Sequence, residues 1–417
     1  MRRVRPLGMV LLLVGLLIPA TLGEAQERGI TPTEIVIGST VPLSGPAAYW
    51  GLGVGGGIDA YLKWINEQGG VHGRRFRVVL RDDSYFPPRA VLNARELVER
   101  EGVFAIVGMI GTANTFAARD YIVESKALWV TPTTNDIWAG FKNRQYLFVT
   151  YPSYLNEGRI LTQYAAEKLG TKKIAVFYQN DEYGLGLLRG VKYGVGTAKG
   201  VKFVGQASYE VTDADVSAQA VKLRASGADT VFLAATPTAG ALIVREMAKL
   251  GFRPTLLATF TLGDPIMFRL AGEAWNDVYS TAYFPLPGTG DAKVDQMLAT
   301  LIRINPALRQ SPYNALAAVT FIEPLVEAFR RAGRDVTKEK VVAALETLRN
   351  WDGEVSRSVT FGPERHQGLN RLRVVKASNV ILGHDAKGPR PVLLDFGLVK
   401  LLDADGPGLT SSRSMLG

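Results

Sequence analysis

The stretch IVIGSTVPLSGPAAYWGLGVGGGIDAYLKWINEQGG, residues 35–70, begins the pattern that decides the fold. Its β-branched start, Ile35–Thr40, predicts a strand, and the apolar residues between 58 and 65 recur at the spacing of one helix face. More strands and helices follow in alternation: strands within RRFRVVLRDD (74–83), VFAIVG (103–108) and ALWVTPTT (127–134), and helices over 90–100 and 114–124. Such alternation predicts a doubly wound α/β fold, a parallel sheet with helices on both faces.

The same pattern repeats between residues 172 and 261. Strands are predicted within KKIAVFYQNDEYG (172–184), VKFVGQASYEV (201–211), ADTVFLAA (228–235) and FRPTLLATFT (252–261). Gly170 and Gly251 stand where left-handed glycines close the preceding helices. Two similar α/β lobes in tandem are therefore expected.

The last third of the chain contains too few predicted helices and strands to form a third domain. It predicts a long helix over Pro312–Ala332, kinked at Pro324, and further elements that complete the two lobes. These are a helix over Lys338–Arg349 and strands near Ser358–Phe361 and Arg371–Lys376.

The N-terminus has the features of a secretory signal peptide. Three arginines within the first five residues precede the 12-residue apolar run Leu7–Ile18, and Gly23 and Ala25 are spaced for cleavage after Ala25. An uncleaved anchor is the alternative, but the run is short of the roughly 20 residues that span a bilayer. The chain has no cysteine, so disulfides and a lipid-modified cysteine are excluded, and a periplasmic location is expected.

Charge and composition exclude several classes of protein. Apolar residues make up 47% and charged residues 21%, as in an ordinary globular protein. Cleavage removes three arginines and one glutamate, which lowers the net charge from +9 to +7. Because the basic residues come in twos and threes without interleaved aromatics, a mildly cationic surface is expected and nucleic-acid binding is not.

Gly51, Gly53 and Gly56 form the pattern G-x-G-x-x-G at the start of a helix, the fingerprint of a dinucleotide site. That site needs its first glycine directly after the strand and an acid about 20 residues on. Here nine residues, PLSGPAAYW, intervene, and Asp82 lies 31 residues past Gly51. The glycines are instead expected to let the helix approach the sheet or a ligand closely, and no cofactor is predicted.

Residues for catalysis or metal binding are scarce. The chain has three histidines (His72, His366 and His384) and contains no HExxH, G-x-S-x-G or P-loop motif. Asp82 and Asp83 form a carboxylate pair, but acids at the end of such a strand are expected to bond to loop backbone. The sequence therefore predicts a protein that is not an enzyme and holds no metal.

Six stretches, in this order and spacing, resemble the periplasmic solute-binding proteins of type I fold, in the leucine/isoleucine/valine-binding branch. They are IVIGSTVPLSGPAAYWG (35–51), INEQGGVHGRRFRVVLRDD (65–83), VFAIVGMIGTANT (103–115), ALWVTPTTND (127–136), IAVFYQNDEYGLG (174–186) and SPYNALAAVTF (311–321). The resemblance covers about residues 32–385 and implies two doubly wound lobes joined by three crossings, with a ligand in the cleft. The crossings would fall near Thr150–Ser153, Phe284–Pro287 and Thr360–Gly362.

The resemblance also implies domain boundaries. A signal peptide would occupy 1–25, lobe 1 residues 30–150 and 286–360, lobe 2 residues 151–285 and 361–400, and a tail 401–417.

The family's binding residues carry over onto matching positions of this chain. Thr112, at the head of a helix, would bind the ligand carboxylate through its hydroxyl and the helix N–H groups, although threonine is also a common N-cap. Thr133 would offer a carbonyl to the ammonium, with Asn135 where the family more often has threonine. Tyr183, Tyr313 and Trp50 match aromatic positions of the pocket, where packing without ligand contact is the alternative.

One position departs from the amino acid binders. Phe260 stands where those proteins place a glutamate against the ligand ammonium, and Thr236 stands near a missing lobe-2 tyrosine. Either Asp181 or Asp264 supplies the countercharge, or the ligand has no ammonium. We therefore expect a small carboxylate or amide with an apolar or aromatic body held among Trp50, Phe260 and Tyr313, while a leucine-like amino acid stays open.

The resemblance implies the solute-binding component of an ABC importer, a monomer that delivers its ligand to permease subunits in the inner membrane. A binding protein for amide or urea uptake and a ligand-sensing partner of a membrane receptor are the alternatives.

Overall fold

The computed structural model describes residues 27–133, 144–369, 371–377 and 397–403. The predicted signal peptide, Asn135, His384 and residues 404–417 of the predicted tail lie outside the described residues. The strands are β1 Glu34–Val41, β2 Arg75–Asp82, β3 Ala105–Val107, β4 Leu128–Val130, β5 Leu147–Phe148, β6 Lys173–Gln179, β7 Lys202–Tyr209, β8 Thr230–Ala234, β9 Thr255–Ala258, β10 Tyr279–Ala282, β11 Arg371–Lys376 and β12 Gly397–Asp403. The α-helices are α1 Ala48–Glu67, α2 Pro87–Arg95, α3 Thr112–Glu124, α4 Tyr154–Tyr164, α5 Glu182–Thr197, α6 Ser217–Ala225, α7 Pro237–Lys249, α8 Ile266–Ala271, α9 Ala292–Ile304, α10 Pro312–Ala332 and α11 Lys338–Leu345.

The first sheet has the strand order β2-β1-β3-β4-β5, and each neighbouring pair is parallel. β1 and β2 pair along their whole length, from Glu34 with Arg75 to Val41 with Asp82. Helices α1, α9, α10 and α11 pack on one another beside this sheet. We call the first sheet and its helices lobe 1.

The second sheet has the order β12-β11-β10-β9-β8-β6-β7 and forms lobe 2 with helices α4 to α8. Its strands β6 to β10 are parallel neighbours, and β11 and β12 add an antiparallel edge. Gly170 and Gly251 have φ of 75° and 68°, which confirms the left-handed caps. The prediction of two doubly wound α/β lobes is thus confirmed.

Some predicted elements differ in detail. The strand predicted near Ser358–Phe361 is wrong: Val359 makes one isolated bridge to Trp351, and Phe361 N donates to Leu348 O. This segment supports the end of α11 and does not join a sheet. Strands β5 and β10 were not predicted, because they span only two and four residues.

The glycines of α1 allow two helices to touch. A Cβ atom at Gly53 would lie 2.6 Å from Asn314 Cβ, and one at Gly57 would lie 2.6 Å from Ala318 Cβ, both on α10. At Gly51 it would lie 2.0 Å from the carbonyl oxygen of Pro42. The run of small residues therefore serves the packing of α1 onto α10 and onto the loop after β1.

The chain passes between the lobes in three places. β5 of lobe 1 ends at Phe148 and α4 of lobe 2 begins at Tyr154, while β10 is followed by α9, which packs on α1. The third crossing leads from lobe 1 to β11 of lobe 2 and comes after Gly368, because the N–H of Gly368 donates to Val149 O of lobe 1. The lobe boundaries expected from the sequence stay a prediction, and these bonds favour a last boundary after Gly368.

Candidate functional site

A cavity of about 490 Å³, counting its open mouth, lies between the two lobes. The lobe 1 wall is formed by Trp50, Val54, Tyr85, Ile110, Gly111, Thr112, Thr133, Tyr313, Asn314, Ala317 and Phe321. The lobe 2 wall is formed by Tyr151, Tyr154, Tyr183, Phe260, Thr261 and Tyr283. Most of these residues lie a few residues after the end of a strand or in the first turn of a helix, the region in which open α/β sheets bind ligands.

The start of α3 forms one polar part of the wall. Gly111, with φ of 102°, is the residue before the helix, and no side chain among the described residues caps the first turn. Thr112 donates its hydroxyl proton to Thr133 O at 3.2 Å. The alternative in which Thr112 acts as the N-cap therefore does not hold, and the first N–H groups of α3 carry the positive end of the helix dipole.

Thr133 is fixed beside this helix start. Its N–H donates to Met109 O at 3.0 Å, and its hydroxyl accepts from Gly111 N at 2.9 Å. Its carbonyl accepts the Thr112 proton and keeps one lone pair for another donor. Thr112 and Thr133 thus both line the cavity, and their contact with a ligand stays a prediction.

Trp50 joins the two lobes above the cavity. Its indole Nε1 donates to Thr261 O of lobe 2 at 3.3 Å. Its ring lies 6.2 Å from Tyr183, edge to face at 78°, and 6.4 Å from Tyr85. Trp50 is 7% exposed, so the structure has the cavity covered on this side.

Tyr183 lies on the cavity wall as the sequence led us to expect, but its hydroxyl bonds to protein. The oxygen lies 2.8 Å from Thr261 Oγ1 and donates to Ala235 O at 3.2 Å. Burial raises the pKa of Tyr183 well above its ordinary value, so the hydroxyl stays neutral. Tyr183 presents its ring to the cavity.

Tyr313 differs from Tyr183 in the hydrogen bonding of its hydroxyl group. The side chain is 4% exposed, and among the described residues its Oη has no hydrogen-bond partner. Burial raises the pKa of Tyr313 well above its ordinary value, so this oxygen carries a proton to donate. A buried hydroxyl without a partner costs about 1–3 kcal/mol, which a polar ligand atom in the cavity would recover.

Four tyrosines of the wall were missed by the sequence reasoning. Tyr151 and Tyr154 bond to each other through their hydroxyls at 3.1 Å, and Tyr283 lies 5.7 Å from Tyr151. Tyr85 accepts from Gln179 Nε2 at 3.3 Å, across the lobes. One signal was available: Tyr151 lies within the first predicted crossing and Tyr154 directly follows it, and such a crossing lies at the base of a cleft.

Phe260 forms the floor of the lobe 2 wall. It stacks on Tyr154 at 5.8 Å and 14°, and it meets Tyr151 edge to face at 4.9 Å. Behind it lies Glu157, wholly buried, which accepts from Phe260 N at 2.6 Å and from Thr259 Oγ1 at 2.8 Å. This carboxylate fixes Phe260 from below and does not line the cavity.

Thr236 is not on the cavity wall, contrary to its place among the expected binding residues. It is the residue before α7, and its N–H donates to Tyr209 Oη at 2.8 Å. That bond turns the residue toward β7, where Tyr209 also bonds Gln179 Oε1 at 3.0 Å.

The two expected countercharges also lie off the wall. Asp181 caps α5 by accepting from Tyr183 N at 3.0 Å and Gly184 N at 3.2 Å, and Gln179 Nε2 donates to its other oxygen at 2.5 Å. Asp264 accepts from Ile266 N and Tyr313 N, both at 3.1 Å. Burial raises the pKa of Asp181 and raises that of Asp264 to about 6.

The paired acids after β2 bond to loop backbone, as expected. Asp82 accepts from Leu43 N and Ser84 N at 2.8 Å each, and Asp83 accepts from Tyr85 N at 2.9 Å. Burial opposes ionisation of Asp82, but bonds from the two serines and the backbone outweigh it and lower its pKa to about 2. These acids position Tyr85 on the wall and belong to no group of possible metal ligands among the described residues.

Comparison with known proteins agrees with this architecture. A family model described as periplasmic binding protein matches residues 34–384. The Leu/Ile/Val-binding protein homolog 3 of Brucella melitensis is 26% identical over 327 residues, which are 78% of this chain and 86% of that protein.

Solved structures show the same fold. A substrate-binding periplasmic protein from Ralstonia solanacearum is 27% identical, with a TM-score of 0.73, over 82% of this chain and 97% of that one. A branched-chain amino acid ABC transporter protein from Thermus thermophilus with bound valine is 20% identical, with a TM-score of 0.77, over 84% and 94%. In the part of the chain that the structure describes, no helix is long and apolar enough to cross a membrane. The chain thus belongs to the periplasmic binding protein family, whose members bind solutes and are not enzymes, and it is similar to the leucine/isoleucine/valine-binding proteins within it.

Proposed function

We propose that this protein is the solute-binding component of an ABC importer and captures a small carboxylate-bearing solute between its lobes. The observation that carries the proposal is the start of α3, where uncapped N–H groups and the Thr112 hydroxyl border a cavity walled by both lobes. Helix N-termini of this kind bind anions. The Thermus structure with bound valine supports a carboxylate ligand in the same fold.

Capture works through closure of the two lobes. A ligand that contacts both walls binds the closed form better than the open one, and so shifts the population toward closure. The bonds from Trp50 to Thr261 and from Gln179 to Tyr85 are present only when the lobes meet. The closed surface is then the form that permease subunits in the inner membrane recognise.

The site of action is the periplasm. The charged N-terminus and short apolar run direct export, and cleavage after Ala25 releases a monomer that begins at Gln26. N-terminal sequencing of the exported protein tests the cleavage point, and a retained residue 1 overturns it.

A thermal-shift screen of the purified mature protein tests the ligand class. The panel holds aliphatic amino acids, aromatic acids, the matching primary amides, and urea. A ligand that binds the native state raises the unfolding midpoint by mass action, so carboxylates should raise it and their amides should not. A midpoint raised by amides or urea and unmoved by acids contradicts the carboxylate site.

Transport distinguishes the importer from a sensor. Uptake of the radiolabelled ligand by cells should be lost when the gene for this protein is deleted, and should return on complementation. Unchanged uptake, with loss of a transcriptional or motile response to the same ligand, would favour the sensor.

A further inference from the structure

The cavity wall carries no charged side chain in the described ranges 27–133 and 144–369. Three buried or partly buried acids near it in the chain already accept hydrogen bonds from the protein. Asp181 caps α5, Asp264 bonds the start of α10, and Glu157 is sealed behind Phe260. No described carboxylate lines the cavity.

The two walls differ in what they offer a charged ligand. Lobe 1 offers an anion the first N–H groups of α3, which no described side chain caps, and the Thr112 hydroxyl, whose proton bonds Thr133 O in this form and would have to turn toward the ligand. Tyr313 adds a buried, protonated hydroxyl that has no hydrogen-bond partner among the residues the structure describes. These groups are donors, which favour a carboxylate. An ammonium would find one neutral acceptor, the remaining lone pair of Thr133 O, but no carboxylate on the described wall to replace its lost hydration.

The remaining wall is mostly aromatic. Nine of the seventeen lining residues are Trp, Tyr or Phe. Phe260 and Tyr283 meet edge to face at 5.2 Å, and Tyr154 meets Tyr183 in the same way at 5.0 Å. Rings prefer such offset and edge contacts with another ring, so this wall complements a flat aromatic group better than a branched aliphatic one.

We infer that the ligand is an aromatic carboxylate without an ammonium group, bound by its carboxylate at α3 and by its ring among Trp50, Phe260 and the wall tyrosines. The inference rests on the proposed function and narrows its ligand class. It also makes a countercharge from Asp181 or Asp264 unnecessary, and neither of these acids lies on the cavity wall.

Matched ligands test the inference on the wild-type protein. Isothermal titration at pH 7.5 compares 3-phenylpropanoate with phenylalanine, which adds only the amino group, and with 4-methylpentanoate, which replaces the ring by a branched chain. We expect 3-phenylpropanoate to bind at least tenfold more tightly than either. If phenylalanine binds as tightly as 3-phenylpropanoate, the inference that the ligand lacks an ammonium is wrong. If 4-methylpentanoate binds as tightly, the inference that the ligand has an aromatic ring is wrong.

A fourth probe separates this inference from the proposed function. 3-Phenylpropanamide keeps the ring and lacks the charge. If it binds as tightly as the acid, the carboxylate site itself is wrong, and if none of the carboxylates binds, both proposals fail. Tight binding of amino acids alone contradicts only the inference.

Substitutions at Phe260 provide a second test, because they should change which ligand is preferred, an effect that disturbed packing alone would not produce. Phe260→Glu places a carboxylate where the amino acid binders have one, so the ratio of phenylalanine to 3-phenylpropanoate affinity should rise at least tenfold. Phe260→Leu keeps the apolar floor without the ring and should narrow the gap between 3-phenylpropanoate and 4-methylpentanoate. A Phe260→Leu protein that keeps the full ring preference contradicts the aromatic floor.

Discussion

The carboxylate of Asp264 in lobe 2 accepts a hydrogen bond of 3.1 Å from the backbone N–H of Tyr313, the second residue of helix α10 in lobe 1. No side chain of its own segment caps α10, so an acid from the opposite lobe satisfies part of its first turn. Arg269 on α8 extends the contact by donating to Gln310 Oε1 at 2.9 Å. This polar junction holds the Tyr313 ring against the cavity when the lobes are closed.

The junction makes the stability of the described form depend on pH. Burial raises the pKa of Asp264 to about 6, above the value near 3.9 of an unfolded chain. The Asp264 carboxyl group therefore keeps its proton to higher pH in the folded protein than in the unfolded chain. Protonation of Asp264 thus stabilises the folded protein at low pH, and this stabilisation is lost as the pH rises from about 4 to about 6. We expect wild type to lose up to about 3 kcal/mol of unfolding free energy relative to Asp264→Asn across this window.

Urea unfolding at pH 4, 5, 6 and 7 measures this difference. Tyr49 and Arg269 are the other titratable groups at the junction, and they are the same in both proteins. Asp120→Asn, at an exposed position of α3, is the control and should follow wild type at every pH. Parallel curves for wild type and Asp264→Asn would contradict the assignment.

Thr112→Val should weaken the binding of carboxylates about tenfold or more and leave the fold intact. The valine has the same shape but lacks the hydroxyl that borders the cavity, and a hydrogen bond to a charged group is worth about 1.5–3 kcal/mol. Titration with the best carboxylate from the ligand screen measures the loss. Thr115→Val on the same helix is the matched control, because its hydroxyl bonds Gly111 O and Thr112 O and does not line the cavity.

The outcome separates a binding role from a structural one. If Thr112→Val melts at a lower temperature and binds carboxylates normally, the residue only holds Thr133. If Thr115→Val loses as much affinity as Thr112→Val, the effect comes from disturbing the start of α3.

Much of the fold follows from local patterns along the chain. The strand from Lys173 to Gln179 and the helix from Pro312 to Ala332 have the periodicity, length and terminal residues of their type, so spacing alone places them. Strand β10 was missed because Tyr279–Ala282 is four residues long and is stabilised by β9 and β11 on either side. Such an element depends on tertiary pairing that no local pattern carries.

The site was harder to predict than the fold. Trp50, Thr112, Phe260 and Tyr313 all line the cavity, because their places relative to strand and helix ends follow from the chain order. The roles of Asp181 and Asp264 as hydrogen-bond acceptors could not be predicted from the sequence, because a buried acid bonds whichever N–H groups the three-dimensional packing leaves without a partner. Tyr151 and Tyr154 were missed for a related reason: ring clusters at a crossing form between segments distant in sequence.

Gly57→Ala should destabilise the protein by about 1–3 kcal/mol. The added Cβ atom would meet Ala318 Cβ at 2.6 Å and Ala315 O at 2.8 Å, so α1 and α10 would have to separate. The free energy of unfolding from urea denaturation measures the effect.

Gly196→Ala is the control with the opposite expected sign. Gly196 lies in the last turn of α5, and a Cβ atom there meets nothing within 4 Å. Alanine should stabilise the protein by up to about 1 kcal/mol, because it reduces the entropy of the unfolded chain. Equal losses from both substitutions would indicate that helix packing is not the reason for the glycine at 57.

Trp50→Phe should weaken ligand binding severalfold through the loss of one bond between the lobes. Trp50 Nε1 donates to Thr261 O, and phenylalanine keeps an aromatic ring against Tyr183 but has no donor. A neutral hydrogen bond contributes about 0.5–1.5 kcal/mol, which corresponds to a loss of up to about tenfold in affinity. Titration of the variant measures this loss, and small-angle scattering with saturating ligand measures closure.

Trp64→Phe on the same helix is the matched control, because Trp64 packs against Tyr61 at 5.5 Å and does not line the cavity. Wild-type affinity in Trp50→Phe, or an equal loss in Trp64→Phe, would show that this indole does not help to hold the lobes closed around the ligand.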